Sequence, residues 1–294
     1  MAEVNDILKK VRRIEIRSRK LTKNIFAGEY HSAFKGKGMA FAEVREYQVG
    51  DDIRNIDWNV TARFNHPFVK IFEEERELTV MLLIDVSGSR VFGTQRQMKK
   101  DLIAEIAAVL AFSAIQNNDK IGAMFFSDRV EKVIHPQKGR QHTLHIIREL
   151  LAFEPEHHTT NLAEALRYLT NSIKKRCTAF VISDFIDYND NNELQFVDAL
   201  KIANRKHDVA ALQVIDYREI TLPNVGLLKI RDAETGKELW IDTSVPAVRD
   251  HYHKWWLKHV ENLNNAFSRV GVDTAQFYTG KDYVRPLMQL FEKR

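Results

Sequence analysis

The feature that most limits what this chain can fold into is a series of apolar runs that stop on aspartate. LTVMLLID covers residues 78–85, CTAFVISDF covers 177–185 and DVAALQVID covers 208–216, while KIGAMFFS (120–127) stops on serine. Unbroken apolar runs of this length fit strands buried on both faces, as in a parallel sheet covered by helices. Segments of helical length lie between them. Residues 96–116 are apolar all round in their second half, and residues 140–153 space Leu144, Ile147 and Leu151 along one helix face. A further helix begins near Thr160 or Asn161, where Asn161 and Glu164 have capping-box spacing, and residues 192–206 turn Phe196, Leu200 and Ala203 inward. This alternation predicts an α/β fold with a doubly wound, mostly parallel sheet and helices on both faces.

The remaining segments fit around that sheet. Residues 130–135 read as a short antiparallel edge strand after the turn at Ser127-Asp128. GLLKIRDAETGKELWID (226–242) alternates about the turn ETGK and reads as a β-hairpin insertion. A long helix follows, with Trp256, Val260, Leu263 and Phe267 as its stripe and Gly271 as its stop, then a strand (VDTAQFY) and a terminal helix. Residues 1–75 differ in character and are expected to form an N-terminal extension packed on the sheet domain, residues 76–294.

Composition narrows the function classes. Net charge is only +4 over 294 residues, and the basic residues concentrate in one place, Lys9 to Lys23. There Lys9, Lys10, Arg12, Arg13, Arg17, Arg19, Lys20 and Lys23 interleave with Ile7, Val11, Ile14 and Leu21. An amphipathic helix with a solvated polar face accounts for this pattern; an anionic membrane surface is the sharper alternative, and nucleic acid is not expected. Cys177, the single cysteine, begins an apolar run and reads as a small buried residue. The N-terminus lacks the apolar core of a signal peptide and no window reaches the ~20 apolar residues of a membrane span, so a cytoplasmic location is expected.

In an open α/β sheet, ligands bind beyond the carboxyl ends of the strands. Asp85 and Asp184 end two buried strands, Ser87 and Ser89 follow the first, and Thr160 precedes a helix that opens at the same edge. These are hard oxygen donors, with no converging Cys or His, which excludes a typical zinc site and suits Mg²⁺ or Mn²⁺. Spacing alone leaves the plainer alternative open: Asp85 and Asp184 as separate helix caps, Ser87 and Ser89 as turn residues, Thr160 as an N-cap. Thr159 competes with Thr160 for the third position.

The order DVSGS, TTNLAEAL, VISDF resembles the metal-ion-dependent adhesion site of von Willebrand factor A domains. The match falls on Asp85, Ser87, Ser89, Thr160 and Asp184, and implies the same doubly wound sheet and an Mg²⁺ that binds an acidic side chain of a partner. Arg90 departs from the pattern, since relatives often carry Met there; a cation at that place either weakens metal binding or attracts an acidic partner. Further stretches, REYQVGDDIRNIDWNVTARFNHPFVKIFEEERELTV, NNDKIGAMFFSD, RKHDVAALQVID and LPNVGLLKIRDAETG, are similar to the bacterial domain-of-unknown-function family 58. That resemblance covers nearly the whole chain and implies association with a MoxR-type AAA+ ATPase or its client; a non-catalytic binding module is the leading expectation. Many members are longer and membrane-anchored.

Other chemistry is less well served. A metal-dependent hydrolase using Asp85 and Asp184 lacks a convincing base or nucleophile beside them. The segment Arg45, Tyr47, Gly50, Asp51, Asp52, Arg54, Asp57, Trp58, Arg63 reads as an ion-pair brace between extension and sheet domain. A phosphatase of the haloacid-dehalogenase type needs a second carboxylate where Ser87 stands, and VSGSR is not a nucleophile elbow.

Overall fold

The computed structural model describes residues 2–22, 40–73, 78–91, 98–189, 191–231 and 236–294. The glycine loops at 28–30 and 36–39, the first residues of the expected helix 96–116 and the hairpin tip at 232–235 lie outside them. The chain divides into two compact units, one of residues 1–34 and 79–294, the other of residues 35–78. The N-terminal helix therefore groups with the sheet, whereas residues 35–78 form a unit of their own; the expected extension of residues 1–75 is two pieces.

The larger unit is built on strands β3 (Thr79–Asp85), β4 (Lys120–Phe126), β5 (Val130–Gln137), β6 (Thr178–Ser183), β7 (Asp208–Ile215) and β10 (Asp273–Tyr278), in the order β10-β7-β6-β3-β4-β5. All neighbours run parallel except the edge strand β5, which is antiparallel to β4. The doubly wound sheet expected from the apolar runs is the sheet observed. Strands β8 (Leu227–Arg231) and β9 (Glu238–Asp242) pair antiparallel as the hairpin insertion.

Helices α3 (Lys99–Gln116), α4 (Arg140–Ala152), α5 (Leu162–Ser172), α6 (Val197–Lys206), α7 (Tyr217–Ile220), α8 (Pro246–Val270) and α9 (Val284–Glu292) cover the sheet. Helix α3 is buried almost all round because the sheet takes one side and α1 (Ala2–Leu21) the other. Val11 and Ile14 of α1 are buried, and its basic residues reach acids of the unit: Lys10 to Asp101 at 3.2 Å, Arg17 to Glu105 at 3.0 Å. Arg140 reaches back to Glu15 at 2.7 Å. On the opposite face Met81, Leu83, Val181 and Ala211 of the sheet meet Leu166, Leu200, Leu263 and Phe267 of the helices.

Three local expectations shift. The buried face of α4 is Thr143, Ile146, Ile147 and Leu150, one position back from the expected stripe, so Leu144 and Leu151 are only half-buried. Helix α6 starts at Val197 rather than near 192, because the Asn189 side chain takes the N–H groups of Asn191 and Glu193 in a turn of its own. His259 replaces Val260 in the buried stripe of α8, while Gly271 stops that helix with φ +72° as expected.

In the smaller unit β1 (Ala40–Glu46) pairs antiparallel with β2 (Phe68–Glu73), and α2 (Trp58–Phe64) lies between them in sequence. Asp57 caps α2 through the N–H groups of Asn59 and Val60, at 3.0 and 3.2 Å. Arg45 makes a bidentate pair with Asp51, both bonds 2.8 Å, and Arg54 pairs with Asp52. These pairs lie within the unit, and each of the three carboxylates is engaged locally.

Candidate functional site at the sheet switch point

The first crossover runs from β3 to β4, β5 turns back antiparallel at the edge, and the chain then returns to place β6 on the other side of β3. The carboxyl ends of β3 and β6 thus flank the point where the winding reverses, where a crevice opens. Asp85 ends β3, and Asp184 follows directly on Ser183, the last residue of β6.

Asp85, Ser87 and Ser89 are linked there by hydrogen bonds, and Asp184 stands beside them. One carboxylate oxygen of Asp85 accepts from the Ser87 N–H at 2.9 Å. The Ser87 and Ser89 hydroxyls are 3.2 Å apart, and Ser89 is near enough to help hold the Asp184 carboxyl down. Asp184 also accepts from the Ile186 N–H at 3.2 Å. Thr160 lies in the loop between His158 and Asn161, tied to the serine loop by a bond from the Gly88 N–H to the His158 carbonyl, 2.9 Å. Thr159 and Thr160 are both half-buried, so burial does not separate them. Asn161 caps α5 by accepting from the Glu164 N–H at 3.0 Å. Its own N–H goes to the Ser127 carbonyl, so the reciprocal half of the expected capping box does not form.

Burial makes the two carboxylates electrostatically unequal. Asp85 and Asp184 are 3% and 5% exposed. Desolvation, then the charge of Asp184, pushes Asp85 up to about 6 against hydrogen bonds from Ser183 and Ser87. For Asp184 burial is again the largest influence and acts in the same sense, but the Lys99 ammonium, together with polar contacts from Ser89, Ile186 and Lys99 itself, outweighs it and holds the carboxyl below its ordinary range.

The sequence pattern gave no sign of three participants. Ser183 donates its hydroxyl to the other oxygen of Asp85 at 2.6 Å and accepts from the Phe185 N–H at 3.0 Å. Lys99, 1% exposed, sets its ammonium on Asp184 at 3.1 Å and also on Glu219. A lysine opening a helix reads as solvated, and Glu219 stands far downstream; only a buried lysine's need for carboxylates hinted at the trio. Arg90 also finds a place: its guanidinium is buried and donates to the carbonyl of Phe153, the C-cap of α4.

The alternatives fare as follows. Cys177 and His207 approach to 3.3 Å, but at the opposite, amino-terminal edge of β6. Burial pushes the thiol up to about 12 and the imidazole down to about 4, so both are neutral near pH 7 and no thiolate nucleophile forms. His157 pairs with Asp128 at 3.2 Å. Among the described residues no three of His, Cys, Asp and Glu cluster as a metal site, so any cation here would depend on hydroxyls as well as the two carboxylates. Among the described residues no helix is long and apolar enough to cross a membrane.

Residues 43–262 match the family described as "Protein of unknown function DUF58". The chain belongs to that family. It is 29% identical over 288 residues to uncharacterized proteins of Mycobacterium bovis and Mycobacterium tuberculosis, matching 97% of this chain and 88% of each relative. It is 34% identical over 110 residues to the uncharacterized protein YeaD of Bacillus subtilis, matching 37% of this chain and 25% of YeaD. Among solved structures, BatB from Bacteroides thetaiotaomicron is similar over 74% of this chain and 98% of its own, at 17% identity and TM-score 0.47. The SpRpn10 VWA domain is similar over 74% and 96%, at 13% identity and TM-score 0.40.

Proposed function

We propose that this DUF58 protein is a non-catalytic binding module that holds Mg²⁺ or Mn²⁺ and uses it to recruit an acidic side chain of a protein partner in the cytoplasm. Asp85, Ser87, Ser89, Thr160 and Asp184 would hold the cation, with water completing its shell and one outward position left for the partner's carboxylate. The observation that carries this proposal is the convergence of Asp85, Ser87, Ser89 and Asp184 at the switch point, with Ser87 bonded to both Asp85 and Ser89. Its donors are carboxylates and hydroxyls, the chemistry of a hard cation. A dication would also compensate the buried Asp85, whose ionised form the protein alone stabilises poorly.

The resemblance to family 58 directs the choice of partner to a MoxR-type AAA+ ATPase or its client. The test mixes the purified chain with the MoxR-type ATPase of the same genome and follows complex formation by gel filtration. A complex in Mg²⁺ that disperses in EDTA, and that Asp85→Ala abolishes, is the expected outcome. A complex indifferent to EDTA and to Asp85→Ala contradicts the metal-bridged contact, and no complex in Mg²⁺ contradicts the choice of partner.

A further inference from the structure

The geometry points to a second site, a pocket for a phosphate monoester between α1 and the turn that joins β10 to α9. None of its residues belongs to the cation site proposed above.

The pocket is a cavity of about 560 Å³ lined by α1, the first turns of α3 and residues 280–283. Small-molecule sites are commonly of this size. Four cations, Lys10, Arg13, Arg17 and Lys281, line it against three carboxylates, Asp101, Glu105 and Asp282. The carboxylates are all engaged within the chain. Asp101 holds Lys10 and Glu105 holds Arg17. Asp282 accepts from the Val284 N–H at 3.2 Å, at the start of α9. Among the described residues neither Arg13 nor Lys281 has a carboxylate partner. Arg13 is exposed, and Lys281 sets its ammonium over the Tyr278 ring, 4.9 Å from the centroid.

Arg17 and Tyr283 complete the donor set. The Arg17 guanidinium lies over the Tyr283 ring at 5.3 Å and bonds Glu105 through one nitrogen. The ring holds a fork that carries five N–H donors in all. Tyr283 is 2% exposed, with its hydroxyl near Glu105 and no well-formed hydrogen bond among the described residues. Burial, then the Glu105 charge, pushes the phenol up, so it keeps its proton to donate near pH 7.

This donor set selects the anion. Four cations against three carboxylates leave one net positive charge, and the two unmatched cations come from separate elements, α1 and the turn after β10. A carboxylate has two oxygens and one charge. A phosphate monoester has three terminal oxygens and about two negative charges, so it can accept from Arg13, Arg17 and Lys281 together. The same chemistry has two sources: a soluble phosphate ester, or the headgroup of phosphatidic acid at a membrane surface, to which the exposed Lys9 and Arg12 of α1 would also be drawn.

The experiment titrates glycerol 3-phosphate into the metal-free full chain at fixed ionic strength and follows its phosphorus resonance by nuclear magnetic resonance. With no divalent cation present, the result is independent of the cation site. One saturable site is expected, displaced by inorganic phosphate but not by acetate. Arg13→Gln and Lys281→Gln should each weaken it at least about tenfold, the loss of one charge-assisted hydrogen bond. Arg12→Gln, about 100° round the helix from Arg13 and outside the cavity lining, should leave it unchanged. Circular dichroism verifies that each variant is folded. A parallel arm sediments the same chains with phosphatidylcholine vesicles, with and without phosphatidic acid. Binding confined to the phosphatidic acid vesicles, with the same dependence on Arg13 and Lys281, supports the pocket and makes the headgroup its source. No saturable binding in either arm, equal displacement by acetate, or an Arg12→Gln loss as large as that of Arg13→Gln overturns the pocket.

Discussion

Ser183 gives the sharpest stability test of the site. Its hydroxyl donates to buried Asp85 at 2.6 Å and accepts from the Phe185 N–H at 3.0 Å, in a place from which water is excluded. Ser183→Ala removes a hydrogen bond to a charged group, about 1.5–3 kcal/mol, and strands a buried N–H, about 1–3 kcal/mol. Because the two effects share one atom, about 3 kcal/mol in all is expected, a large part of the ~5–15 kcal/mol that holds such a domain together. The loss should also depend on pH. Asp85 is raised from 3.8 to about 6 in the folded chain, so the folded state binds that proton more tightly and loses stability as pH rises through this window. Without Ser183 the window extends upward, and variant and wild type should differ less at pH 5 than at pH 8. Urea denaturation in EDTA measures this, with Ser113→Ala as control. The Ser113 hydroxyl is equally buried but only returns to the Val109 carbonyl of its own helix, so a change below about 1 kcal/mol is expected. A Ser183→Ala chain within 1 kcal/mol of wild type at pH 8, and additive with Asp85→Asn, would refute the proposed support of Asp85.

Three other outcomes follow from the structure. A Cβ on Gly122 would lie 2.7 Å from Met81 Sδ, 2.8 Å from the Ile134 carbonyl and 2.9 Å from Pro136 N; since two of these are backbone atoms, Gly122→Ala should cost about 3 kcal/mol in thermal unfolding. Asn161→Ala removes the cap of α5 and should cost about 1 kcal/mol in urea, detected as a lower midpoint with unchanged slope. Burial, followed by the charges of Lys206 and Arg176, lowers His207 from 6.5 to about 4, so its contribution is complete above pH 6.5 and is lost as pH falls toward 4. Wild type should therefore lose on the order of 1–2 kcal/mol more than His207→Gln between pH 7 and 4.5, measured by urea denaturation.

What the sequence disclosed and what it concealed have physical causes. Strands buried on both faces leave unbroken apolar runs, so β3, β4, β6 and β7 were legible, and each run's last residues marked the sheet edge where Asp85 and Asp184 stand. The serine pair was legible because its spacing is local. Lys99 and Glu219 were not, since their meeting depends on how α3 and α7 come to the same sheet edge across 120 residues of chain. Ser183 looked like the last residue of a strand, and nothing local says its hydroxyl turns to Asp85. Arg90 looked like a departure within the site, yet its side chain serves the end of α4. The late start of α6 escaped notice because Asn189 competes for backbone N–H groups that a helix starting near 192 would otherwise use.

The most direct test of the account is the number and location of divalent-cation sites on the metal-free chain. Mn²⁺ titrated in acetate buffer and followed by electron paramagnetic resonance should reveal one saturable site per chain in wild type. Asp85→Ala should abolish it, and Thr160→Val should weaken it while Thr159→Val leaves it intact. A wild-type chain with no saturable site, or a site that survives Asp85→Ala unchanged, would contradict the central claim.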